Sequence, residues 1–214
     1  MSYTVISGRY ETGTKEQQFE YIHLFGEENI QYKFDLYFHW YNLVHEMGHC
    51  LVEKQDVEMS KVKEEMYVNE FAAGYYFYVG EKEKLKALQE IIQSVIDCLP
   101  APMPEGESFT DYYERIWNTD EINNVMIYGY FQLNSVLEAM KKNRSLENVL
   151  SEIGISINTK AQLNKCQEKV SSENAEIFLD TALNNLKLMG VDVPDIKLKL
   201  VENPMMQFAT TDNI

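Results

Sequence analysis

Residues 30–54 read IQYKFDLYFHWYNLVHEMGHCLVEK, and the fold turns on where the periodicity changes within them. Ile30, Tyr32, Phe34, Leu36 and Phe38 alternate with Gln31, Lys33, Asp35 and Tyr37, the period of two expected of a half-buried strand. From Trp40 onward the period changes: Trp40, Val44, Met47 and Leu51 recur at three- and four-residue spacing, the apolar stripe of a helix. The stretch therefore reads as a strand over 30–38 leading into a helix over 40–54.

The polar break Lys54–Gln55–Asp56 ends that helix. A second helix starts at Ser60, a good N-cap, and runs through Tyr78 to Gly80. A third spans Glu81 to Cys98, with Leu85, Leu88, Ile92 and Val95 on one side. Upstream, residues 2–6 (SYTVI) suit a short strand ending at Gly8, and 15–24 suit a short helix. Three of the five prolines fall in 99–106, where no helix can continue. Beyond them, 109–117, 121–142, 145–153 and 159–189 carry helical patterns, with Gly154 and Gly190 as stops. The expected organisation is a part over 1–99, a Pro-rich linker over 100–108, a helical bundle over 109–204 and a loose tail over 205–214. The expected class is α+β, mostly α, with a small N-terminal sheet.

At 214 residues and 45% hydrophobic side chains, the chain has material for a real core. Nineteen basic against 34 acidic residues give a formal charge of -15, which repels phosphate backbones and anionic lipid alike. Neither nucleic acid nor a membrane is the expected partner. The three cysteines, Cys50, Cys98 and Cys166, are too few for a disulfide framework and fit a reducing compartment. No signal-peptide pattern or long apolar run stands out, so the expected address is cytoplasmic.

The chemistry sits in His45–Glu46–Met47–Gly48–His49, an HExxH sequence within the 40–54 helix. Residues four apart on a helix are neighbours, so two imidazoles at this spacing converge on one zinc ion. Glu46, one position after its histidine, faces the same cleft without competing as a ligand, and there it takes a proton from a zinc-bound water. A catalytic zinc needs a third protein ligand and an open fourth position. His23 and His39 are poorly placed, which leaves Glu64, Glu65 and Glu70 on the next helix. If the helices are antiparallel, the ligand lies as far into the second as His49 lies from the end of the first. That is five residues, about 7.5 Å of rise, which favours Glu65 and leaves Glu70 as the main rival. Asn69, one turn after Glu65, is placed to hold a ligating histidine from behind. Tyr75, Tyr76, Tyr128, Tyr130 and His39 are candidate donors to a developing oxyanion.

HEMGH followed by Glu65–Met–Tyr–Val–Asn69–Glu–Phe71–Ala72–Ala73 resembles the ImmA/IrrE-like metallopeptidases, whose pattern is HExGH followed by E-x-x-A-N-x-F-A-A on the next helix. The resemblance covers roughly residues 30–80. Val68 stands where the family usually has Ala, and Tyr75–Tyr76–Phe77–Tyr78 replaces its usual ending. It implies a zincin-like part over 1–99, with His45, His49 and Glu65 as ligands of one zinc per chain. It implies Glu46 as acid/base, and a cytoplasmic peptidase of a peptide or protein substrate, often a regulatory protein. An extended substrate is expected to join the 30–38 strand edge. The competing reading is a non-catalytic interaction protein on the same scaffold.

Overall fold

The computed structural model describes residues 2–202. It is α+β and mostly helical, with nine α-helices and two strands among the described residues. The expected tail over 205–214 lies outside them.

β1 (Ser2–Gly8) pairs in parallel with β2 (Asp195–Val201), Ser2 opposite Asp195 and Gly8 opposite Val201. The expected strand at 2–6 is therefore present, but its partner comes from the far end of the chain. β2 carries an alternation of its own, Ile196, Leu198 and Leu200 between Asp195, Lys197 and Lys199, inside a region read as helical. A parallel pair needs a long crossover. Here every α-helix of the described chain lies between the two strands.

The strand expected over 30–38 is a helix. α2 (Ile30–Leu36) passes through a π-helical turn, Tyr37–Tyr41, into α3 (Asn42–Lys54). The alternating apolar set misled because Ile30, Phe34 and Phe38 also stand four apart, which serves a helix equally well. Phe34, Asp35, Leu36 and Tyr37 are all buried in succession, a pattern a half-buried strand does not allow. Aromatic packing explains it: Phe34 lies 4.8 Å from Tyr21 and 4.5 Å from Phe38, ring centre to ring centre. Asp35 and His39, one turn apart, bond each other inside at 2.7 Å, and the other ring nitrogen of His39 meets the Gly8 carbonyl at 2.8 Å. That bond anchors β1 to the helix. The substrate-accepting strand edge expected here does not exist.

α1 (Lys15–Phe25) opens with a capping box between Thr14 and Gln17. α4 (Lys61–Val79) is capped by the Ser60 hydroxyl and stopped by Gly80 in a left-handed conformation, as its sequence requires. α4 is buried along nearly its whole length and is the central helix, packed against α3, α7 (Val125–Lys142) and α8 (Leu146–Glu152). α5 (Lys82–Cys98) and α6 (Phe109–Ile116) flank the 99–108 segment. One core runs from Val5 to Ile196, and a smaller one gathers Val62, Tyr112, Tyr113, Ile116 and Phe131.

Helix over 159–189 is realised only as α9 (Ala175–Leu188). The fully buried Asn185 accounts for part of the difference. Its amide accepts from the Asn164 N–H at 2.8 Å and donates to the Asn164 carbonyl at 2.9 Å, so a side chain satisfies backbone that a helix would otherwise pair. No helix among the described residues is long and apolar enough to cross a membrane.

Candidate metal centre

α3 and α4 cross at Gly48. A Cβ built there would stand 2.9 Å from the Val68 Cβ, closer than real Cβ atoms come, and a tight 3.0 Å from the Phe71 ring. Only glycine lets the helices approach this far, and that approach carries Glu65 to the histidines. His45, His49 and Glu65 each offer a ligand atom, and the three atoms lie within 4.8 Å of one another, close enough to hold a metal ion.

The hydrogen bonds around the cluster aim its lone pairs. Nε2 of His45 and Nε2 of His49 face each other at 3.3 Å. Glu65 presents Oε2 to His45 at 3.4 Å and Oε1 to His49 at 3.7 Å. Each imidazole is held from behind at Nδ1: His45 by the Asn69 Oδ1 at 3.1 Å, His49 by the Glu64 Oε1 at 2.8 Å. A proton on each Nδ1, donated to those oxygens, leaves both Nε2 lone pairs pointing inward, as a metal site needs. Asn69 is itself fixed. Its amide donates to the Glu65 carbonyl at 3.0 Å, and its Oδ1 also accepts from the Tyr41 hydroxyl at 3.3 Å. On the other side, the Gln132 amide of α7 donates to Glu65 Oε2 at 3.1 Å and to the Tyr128 hydroxyl at 2.9 Å.

The charges follow from this crowding. Burial works against ionisation of Glu65, yet bonds and charge from His45 and His49 hold its carboxyl well below the usual carboxylate range. Burial also opposes a charged His49, but Glu64 and Glu65 outweigh it and raise the ring to about 10. Glu64 is lowered chiefly by its bond to His49. Glu46 differs from both: burial raises it, the Glu65 charge adds to this, and the two histidines and Asn42 only partly offset them. The Asn42 amide donates to its Oε1 at 3.1 Å, one turn away on α3. A buried carboxyl beside a cation site, raised and not itself a ligand, has the properties of a proton-transfer group.

The other candidates fall away. Glu70 is buried on another face, paired with Lys142 at 2.6 Å and Arg144 at 2.7 Å. His39 is held by Asp35 and Gly8. Tyr76 donates to the Trp40 carbonyl and Tyr75 accepts from Asn185. Of the tyrosines named from sequence, Tyr128 is the one bonded to the residue that holds Glu65. Cys50 is buried, which pushes its thiol up to about 12, and it takes no part in the cluster.

Sequence reasoning missed three contributors. Glu64, a ligand candidate from sequence, is instead the carboxylate behind His49. Gln132 and Tyr41 carried no local signal, since each acts on a residue at least 28 positions distant. Compared with protein-family models, curated proteins and solved structures, the chain has no match.

Proposed function

We propose that this chain is a zinc-dependent peptidase of the HExxH type, as its resemblance to the ImmA/IrrE-like metallopeptidases implies, with a zincin-like active-site helix in α3. The observation that carries the reading is the convergence of both Nε2 atoms and the Glu65 carboxylate, each held from behind by Asn69, Glu64 or Gln132. Two imidazole nitrogens and one carboxylate suit zinc, and three protein ligands leave a position for the reactants. When bound, the ion supplies Lewis acidity, polarising an amide carbonyl and making water easier to deprotonate.

The remaining work belongs to the chain. Glu46 takes the proton of the attacking water and returns it to the leaving amine. Its raised pKa keeps it basic enough to hold that proton between the two steps. Asn42 orients its carboxylate. Tyr128, bonded to the Gln132 amide that holds Glu65, is the donor assigned to the developing oxyanion. The substrate class is a peptide or protein, and the working compartment is cytoplasmic.

The test compares wild type with Glu46→Gln, measuring zinc by mass spectrometry and cleavage of a peptide library. The expected result is about one zinc per chain in both proteins and cleavage by wild type alone. Equal zinc with no cleavage by either would favour the non-catalytic interaction protein. Folded wild type that takes up no zinc would overturn the proposal.

A further inference from the structure

A mainly apolar pocket of about 230 Å³ is lined by Leu24, Phe38, Leu99, Val125, Met126 and Gly129, with the exposed Cys98 in its wall. Val125 and Met126 are half exposed at its rim, 48% and 50%. Large apolar side chains left open to solvent around a concave site mark a surface that receives something.

Two helices connect this pocket to the cluster. On α7, Gly129 lines the pocket, while its neighbour Tyr128 and Gln132 bond at the cluster. Gly129 and Gln132 are three residues apart, about 4.5 Å along the axis. Along the other helix, Phe38, Asn42 and Glu46 follow at four-residue steps, so Phe38 stands about 12 Å along the axis from Glu46. An extended peptide advances about 3.3 Å per residue. A substrate with its scissile carbonyl at the cluster therefore brings a side chain over the pocket within about three positions of the cut.

We infer that the pocket is a specificity subsite that takes one large apolar side chain, of the Phe, Leu or Met class, from a peptide held at His45, His49 and Glu65. This rests on the peptidase reading above and deepens it. The volume suits a single such side chain, and most of the lining is aliphatic or aromatic, with Glu20 and His23 as its polar members. A substrate chosen this way is recognised through exposed or unfolded apolar sequence.

The probes are zinc-loaded wild-type protein and four short peptide hydroxamates: one all-alanine, and three with phenylalanine at successive positions from the chelating end. Binding is measured by calorimetry, and occupancy of the pocket by the rate at which Cys98 is alkylated. One phenylalanine peptide is expected to bind about tenfold tighter than the alanine peptide and to slow Cys98 alkylation. Met126→Arg, at the half-exposed rim, is expected to cancel both effects. Zinc-dependent binding of all four at equal affinity, or a phenylalanine gain that leaves Cys98 unprotected, overturns the subsite alone. No zinc-dependent binding of any hydroxamate overturns the metal reading and the subsite with it.

Discussion

Glu64 Oε1 lies 2.8 Å from Nδ1 of His49, on the side of the ring opposite Glu65. The bond holds a proton on Nδ1 and turns Nε2 toward the cluster, so Glu64 supports the candidate metal site without being one of its three ligands. Glu64→Gln keeps a hydrogen-bonding group but removes the charge. The expected result is zinc bound about tenfold to a hundredfold more weakly, with fewer protons released on binding. Calorimetry in buffers of different ionisation enthalpy reads both.

The His49 ring gives the metal-free protein a pH signature. Its ordinary value is 6.5 and the folded site raises it to about 10, so the fold favours the protonated ring. That contribution is complete below pH 6.5 and is lost as pH rises through about 10. Thermal melts of chelator-treated protein should therefore fall across this window, and Glu64→Gln should shrink the fall. Zinc needs the neutral ring, so its affinity should rise over the same window.

Gly48 sets the helix spacing. Gly48→Ala is expected to cost about 1–3 kcal/mol through its collision with Val68 and Phe71, as overpacking does in other cores. Because the displaced α4 carries Glu65, zinc affinity should fall as well. Denaturant melts and competition with a chromogenic chelator measure the two effects. Loss of stability with unchanged zinc affinity would separate Gly48 from the site.

Glu70 and Glu65 should part company. Glu70→Gln removes the partner of Lys142 and Arg144, both partly exposed, and is expected to cost about 1–2 kcal/mol. Its zinc content should match wild type. Glu65→Gln should lose zinc instead.

Tyr128→Phe removes one hydroxyl beside Gln132. If that hydroxyl meets the oxyanion, kcat falls about tenfold to a hundredfold while zinc content stays unchanged. Steady-state kinetics on a cleaved peptide, with metal analysis of the same preparation, checks both.

Much of the centre was legible because it is local. HExxH places two rings one helical turn apart, and counting residues from the α3–α4 turn picks out Glu65 over Glu70. Asn69 followed from the same one-turn arithmetic. What escaped was set by distance along the chain. Gln132 reaches Glu65 across 67 positions, and β1 finds its partner some 193 positions away. The 30–38 segment was misread for a different reason: apolar residues at every second position include a set four apart, and aromatic packing decided between the periods. The alternation of Ile196, Leu198 and Leu200 was present in the sequence and pointed to β2, but it was absorbed into the helical reading around it.

X-ray absorption at the zinc edge of the loaded protein decides whether His45, His49 and Glu65 hold one ion together. The expected shell is two imidazole nitrogens and one carboxylate oxygen at about 2.0–2.2 Å, completed by a light-atom ligand, with the imidazole signal lost in His45→Ala or His49→Ala. A sulfur at about 2.3 Å, or a shell unchanged when either histidine is removed, would contradict it.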